Sequence, residues 1–164
     1  MHRRQILIGG TALALMPLAS RFATAAETFE VTRSESEWRA MLTDKEYYVM
    51  REEGTERAFT SPLNDITAPG TFYCKGCDQA LYVTETKFKS GTGWPSFYQP
   101  LPDAVATKPD PGIFGTRTEV HCDRCGSHLG HVFDDGPPPT GKRHCINGIA
   151  MVFRPEGGGD PVVG

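Results

Sequence analysis

The chemistry this chain could perform is concentrated in its five cysteines. Four stand in two pairs, Cys74-Lys75-Gly76-Cys77 and Cys122-Asp123-Arg124-Cys125, with 44 residues between the pairs. A two-residue gap lets the backbone turn so that both sulfurs face one ion. Two such turns supply the four thiolates of a tetrahedral Zn²⁺ site, with bonds of about 2.3 Å. Gly76 and Gly126 lie where such turns favour glycine. The separation of the pairs exceeds that of a compact zinc finger, so two hairpins pinned together by metal are expected. Two rivals stay open. An exported chain could pair these cysteines as disulfides. A redox-active C-x-x-C is the other, but it would want a βαβ setting that neither pair has.

Cys145 has no such partner. An odd cysteine in an exported protein is an accident, an intermolecular bridge or a reactive thiol. It lies in Arg143-His144-Cys145-Ile146-Asn147. If that stretch is extended, Arg143, Cys145 and Asn147 share one face. A cation two residues away favours the thiolate, the nucleophilic form. A thiol sealed in an apolar strand would instead be inert.

His128-Leu129-Gly130-His131 follows the second cysteine pair, and Asp134-Asp135 comes next. The two imidazoles could ligate metal, although four cysteines already fill a tetrahedral site. They could be ordinary polar residues, or acid catalysts beside Cys145. Asp135 is placed to orient one of them. Gly91-Thr92-Gly93-Trp94-Pro95-Ser96-Phe97 is the third element. Its glycines imply a tight bend or a close backbone approach, and Trp94 there is a core plug or the wall of a pocket.

These residues need a scaffold. Ser34 and Glu37 have capping-box spacing, and Trp38, Met41 and Leu42 form an apolar stripe, so a helix is expected from Ser34 to about Tyr48, ending by Gly54. From Phe59 onward, short apolar pieces alternate with Pro, Gly and Asn-Asp clusters. Examples are 71–73, 80–83, 116–120, 129–133 and 145–153. That texture, with 18 Gly and 13 Pro in 164 residues, predicts a small, mainly β domain. Pro100 to Pro111 reads as a loop, and the tail from Pro155, with Gly157-Gly158-Gly159, as frayed.

Residues 1–26 differ from the rest. Arg3-Arg4, an apolar run from Ile6 to Ala19 and Ala23-Thr24-Ala25 describe a cleavable signal peptide, and the arginine pair points to the twin-arginine route. The run is too short and Gly-rich for a membrane span. The expected destination is the periplasm or another exported location. Cleavage after Ala26 removes three arginines, leaving 14 basic against 20 acidic residues, a formal charge of −6. Such a balance argues against nucleic-acid binding and against attraction to anionic membranes.

Taken together, Gly91 to Phe97, Glu119-Val120-His121-Cys122 through His128-Leu129-Gly130-His131-Val132-Phe133, Asp135-Gly136-Pro137, Thr140-Gly141 and Arg143 to Asn147 resemble the methionine-R-sulfoxide reductases of the B type. The likeness extends upstream through Gly54-Thr55-Glu56-Arg57 and Phe59 to Leu63, and covers about residues 35–154. It implies twisted antiparallel β-sheets with short N-terminal helices, in one reductase domain over residues 27–164. It implies reduction of methionine-R-sulfoxide in oxidised protein substrates. Cys145 would be the nucleophile and Cys74, Cys77, Cys122 and Cys125 the ligands of a structural zinc. Trp94, with Phe97 beside it, would bind substrate, and His128, His131, Asp135, Arg143 and Asn147 would surround the reacting centre. Many members carry a resolving cysteine where this chain has Thr92. The Cys145 sulfenic acid is therefore expected to be reduced by an external thiol, a thioredoxin-like protein or a small thiol. His144 stands where Tyr or Phe is frequent, and Gly148 where Ser is frequent.

Overall fold

Ser34 and Thr43 each open a helix, α1 (Glu35–Met41) and α2 (Asp44–Arg51). The computed structural model describes residues 28–112 and 115–164, so residues 1–26, where a signal peptide is expected, lie outside the described residues. The single helix expected over this stretch is divided because Thr43 and Glu46 form a second capping box, as Ser34 and Glu37 form the first. Trp38 is buried, with the guanidinium carbons of Arg33 and Arg51 at 4.8 and 4.7 Å from its ring. Met41 instead faces solvent.

Ten strands follow among the described residues: β1 (Gly70–Cys74), β2 (Ala80–Val83), β3 (Lys87–Phe88), β4 (Ser96–Phe97), β5 (Val105–Gly112), β6 (Gly115–Cys122), β7 (His128–Phe133), β8 (Arg143–Ile146), β9 (Met151–Pro155) and β10 (Val162–Val163). They form two antiparallel sheets, ordered β10-β9-β1-β2 and β3-β4-β8-β7-β6-β5. Aromatic rings from both sheets interlock in the core. Phe97 of the larger sheet stacks on Tyr82 at 4.3 Å and meets Phe72 edge-on at 5.0 Å, and Phe72 in turn contacts Phe153 at 4.9 Å. Each fully buried side chain of this size contributes about 1.5–3 kcal/mol.

Three further expectations change. The Pro100–Pro111 loop is largely strand: Pro109 and Pro111 lie in β5, opposite Thr118 and Thr116. β5 is an edge strand, where a residue without an N–H is tolerated. The tail is not frayed. Gly157, Gly158 and Gly159 take positive φ, and β10 returns to pair Val162 with Phe153 and Val163 with Val152. The apolar piece 145–153 is two strands. A 3₁₀ turn, Gly148–Ala150, carries the chain from β8 in one sheet to β9 in the other. Asn147 sits at that transfer point.

Candidate active site and metal centre

Cys74 ends β1 and Cys122 ends β6, so each cysteine pair closes a hairpin in a different sheet. The two turns are alike. Asp78 N–H donates to the Cys74 carbonyl at 2.8 Å, and Gly126 N–H to the Cys122 carbonyl at 2.9 Å. Asp78 and Gly126 both adopt left-handed backbone, at φ 63° and 66°. Gly76 has a different reason to be glycine: a Cβ there would crowd Ser127, Met50 and Trp38.

The four sulfurs converge on one point, all within 4.8 Å of one another. Cys74 and Cys125 sulfurs are 3.7 Å apart, and those of Cys77 and Cys122 are 3.5 Å apart. A tetrahedron with 2.3 Å zinc–sulfur bonds places its sulfurs about 3.8 Å apart. The donor set therefore fits a structural zinc. Hydrogen bonding among the four thiols drives those of Cys125 and Cys77 down and those of Cys122 and Cys74 up. Convergence of both pairs removes the basis for an independent redox C-x-x-C.

The larger sheet sets the second centre. Cys145 in β8 lies opposite His131 in β7 and Ser96 in β4. Gly130 makes this close: a Cβ there would strike the Cys145 carbonyl oxygen. Cys145 is half-buried and lines a cavity of about 140 Å³ with Thr55, Trp94, Arg117, Gly130, His131, Phe133 and Asn147. Trp94 is thus a pocket wall. His144 and Phe97 pair with each other one residue along, on the opposite face. Phe97 is fully buried between Tyr82 and Phe72. It is a core residue and not a substrate contact, because strand alternation turns it away from the Cys145 side. His144, hydrogen-bonded to the Tyr82 hydroxyl at 3.2 Å, is pushed down to about 4 by burial and stays neutral.

Burial pushes the Cys145 thiol up. The Thr92 hydroxyl and the Arg143 guanidinium pull it back without prevailing. The expected preference for thiolate is therefore absent at rest. Arg143 grips Asp135 through two 2.9 Å hydrogen bonds, which divides its charge between two partners. Asp135 consequently orients Arg143 and neither imidazole, which corrects the expectation for that residue.

Other carboxylates, unrecognised in the sequence, hold the histidines. His131 Nε2–H donates to Asp110 Oδ2 at 2.8 Å, and His128 Nδ1–H to Glu119 Oε1 at 2.7 Å. Both tautomers follow from the network, since an ionised carboxylate only accepts. Burial pushes His131 down against the pull of Asp110, so its ring is neutral near pH 7 with Nδ1 left to handle a proton. His131 faces the cavity. His128 is buried behind it, ring centroids 5.4 Å apart, and its Nε2 has no hydrogen-bond partner among the described residues. Asp110 lies in the stretch read as a loop, and Glu119 in a strand whose partner register the sequence does not reveal.

Glu56 was also missed, although its segment belongs to the resemblance. Its carbonyl accepts the Trp94 indole N–H at 3.2 Å, and its N–H donates to Asn147 Oδ1 at 2.9 Å. Its carboxylate accepts from Gly148 and Ile149 N–H at 2.6 and 3.1 Å. One residue thus fixes the pocket wall, the Asn147 amide and the turn that joins the sheets. Burial pushes its carboxyl up, opposed by those two N–H donors.

A half-buried thiol in a small aromatic-walled cavity, facing a neutral imidazole and set apart from a cluster of four cysteines that could hold a metal, defines the class: a thiol-based redox enzyme on a β scaffold. The chain matches the SelR domain over residues 42–155. It is 50% identical over 127 residues to the peptide methionine sulfoxide reductase MsrB of Agrobacterium fabrum, covering 77% of this chain and 94% of that protein. It is 51% identical to MsrB of Methanosarcina barkeri (77% and 89% covered) and 46% identical to MsrB of Leptospira interrogans (78% and 98% covered). The chain belongs to the SelR-domain family of peptide methionine sulfoxide reductases, the MsrB enzymes.

Proposed function

We propose that the protein reduces the R epimer of methionine sulfoxide in oxidised polypeptides, with Cys145 as nucleophile and an external thiol as reductant. The observation that carries this reading is the Cys145 sulfur, opening into the cavity walled by Trp94 and His131. The preference for the R epimer rests on the motif resemblance.

The oxidised side chain enters with its methyl group against the Trp94 ring. The Cys145 thiol gives up its proton as its sulfur attacks the sulfoxide sulfur, and the sulfoxide oxygen gains a proton. His131 relays these protons through Nδ1, with Asp110 holding Nε2. His128 supports that ring from behind, and Asn147 and Arg143 complete the polar side. The sulfur–sulfur adduct collapses with transfer of hydroxyl to Cys145. Methionine leaves carrying two more electrons, and Cys145 becomes a sulfenic acid. An external thiol then attacks that sulfur and releases water, and a second thiol completes a disulfide and restores Cys145. Thr92 supplies no sulfur for an internal disulfide, which supports direct reduction from outside. Zinc, when bound, holds the two hairpins and supplies no step.

The chain is further read as exported after cleavage behind Ala26. No helix of the described residues is long and apolar enough to cross a membrane. N-terminal sequencing of protein from the periplasmic fraction should begin at Glu27, and an uncleaved chain there would count against export by this signal.

The decisive assay offers separate R and S epimers of a methionine sulfoxide peptide, with dithiothreitol as reductant. Turnover of the R epimer alone is expected, and a dimedone adduct on Cys145 after one turnover without reductant. Equal use of both epimers, or an internal Cys145 disulfide, would refute the reading.

A further inference from the structure

Phe59 is the most exposed large apolar side chain among the described residues, at 75%. Its backbone is also left-handed, at φ 64°. A bulky residue in that region is strained, and such strain persists where neighbouring contacts over-determine it. Here Phe59 N–H donates to the Gly93 carbonyl at 2.8 Å, and the Asn64 amide donates to the same oxygen at 3.1 Å. Gly93 itself takes φ 95°, and a Cβ on it would lie 2.9 Å from two carbons of the Phe59 ring. The aromatic ring therefore lies across Gly93, immediately before Trp94, and faces water.

A hollow of about 180 Å³ opens on this side of the loop, with Phe59, Phe88, Trp94 and Pro95 among its walls. Trp94 also walls the 140 Å³ cavity that holds Cys145. Trp94 thus borders both hollows. The Cys145 cavity has room for on the order of five water molecules, enough for one unbranched side chain and not for its main-chain neighbours. A polypeptide whose oxidised methionine enters it must lay an adjoining residue on the rim.

We propose that the Phe59–Trp94 cleft is a subsite for an apolar or aromatic residue adjoining the oxidised methionine in a polypeptide substrate. This rests on the reductase reading of the Cys145 cavity. The chemistry that recognises such a residue is aromatic contact and removal of apolar surface from water, with Phe59 held out in advance to meet it.

The test uses the intact protein and four R-sulfoxide substrates: a peptide with Phe before the methionine, one with Phe after it, one flanked by Gly, and N-acetyl-methionine sulfoxide. The wild type should favour at least one Phe-flanked peptide over the Gly-flanked one by about threefold to tenfold in kcat/KM, the range one aromatic contact supplies, through KM. Phe59→Ala should erase that preference, and Phe59→Tyr should keep it. Zinc content and thermal melting verify that the variants are folded. Equal use of all three peptides by the wild type, or a preference that survives Phe59→Ala, would overturn the subsite. Equal use by the wild type overturns the subsite by itself, so the proposal stays falsifiable even if a variant does not fold. Failure of the wild type to reduce N-acetyl-methionine sulfoxide would strike the reductase reading instead.

Discussion

The Thr92 hydroxyl oxygen lies 3.8 Å from the Cys145 sulfur and 2.8 Å from the Ser90 hydroxyl, so one rotor stands between two partners. The polarity of this chain is set at its far end. Ser96 donates to the Trp94 carbonyl at 3.1 Å, which can only accept. Ser90, 2.7 Å from Ser96, therefore donates to it, Thr92 donates to Ser90, and the Cys145 S–H donates to Thr92. When Cys145 ionises, a single rotation of the Thr92 hydroxyl turns it into a donor to sulfur.

Thr92→Val removes that donor and should move the Cys145 inflection further up, whereas Thr92→Ser should keep it. Ser90→Ala frees the Thr92 proton for sulfur and should move the inflection down. The pH dependence of iodoacetamide alkylation reads all three. Opposite signs for the Val and Ala variants are expected, and equal signs would discard the rotor.

Cys145→Ser and Cys74→Ser should fail in different ways. The first should abolish turnover while keeping zinc at one equivalent and the melting temperature near that of wild type. The second removes a ligand from a buried four-sulfur cluster. Structural zinc contributes about 10–16 kcal/mol in small peptides, against a net stability of about 5–15 kcal/mol for a whole domain. Metal loss and unfolding should follow, and a strong chelator should reproduce them, as metal analysis and circular dichroism would report.

Asp110→Asn removes the carboxylate that raises His131, leaving burial and the Arg117 charge to lower it. The folded-state value already lies below the ordinary imidazole value, so protonation of His131 should shift to still lower pH. An NMR titration of the ring should record the downward shift, and the acid arm of the kcat profile should move with it. His131→Ala should lower kcat by about 10²–10⁴-fold, the usual contribution of a positioned proton donor. An unaltered His131 titration in Asp110→Asn would break the link.

Phe97 and Trp94 neighbour each other in sequence but should separate in measurement. Phe97→Ala opens the stacked core and should cost about 3–5 kcal/mol in thermal or denaturant unfolding. Phe97→Leu should melt earlier than wild type yet keep its KM. Trp94→Ala should raise KM. A KM change in folded Phe97→Leu as large as that in Trp94→Ala would contradict the assignment of Phe97 to the core.

Glu56→Ala leaves the Gly148 and Ile149 N–H groups without their acceptor. Two unsatisfied, partly buried donors cost up to about 2–6 kcal/mol together. Glu56→Gln keeps an acceptor oxygen and should lose less, so denaturant unfolding should rank wild type, Gln, then Ala.

Much of this molecule is written in local pattern. The C-x-x-C turns need only four consecutive residues and their own hydrogen bonds, so the four-cysteine cluster could be read from spacing. The Ser34 capping box is equally local and formed where expected. The Arg143–Asn147 alternation placed Cys145 on a pocket-facing side, because two-residue periodicity belongs to the strand itself. The second helix start at Thr43 carried the same signal as the first but lay inside an apolar stripe that concealed it.

By itself the sequence determined residue chemistry: four sulfurs for one ion, one sulfur left over, two imidazoles and an indole on a glycine bend. Only the tertiary structure decided which groups meet. Asp110 was assigned to His131, Glu119 to His128, and Asp135 to Arg143; Phe97 was turned into the core; and the tail was returned to β9 as β10. Those pairings depend on strand register between segments far apart along the chain, where a shift of one residue moves a side chain to the opposite face. Burial set the direction of the Cys145 shift in the same way, because desolvation depends on what packs around the sulfur and not on which residues adjoin it.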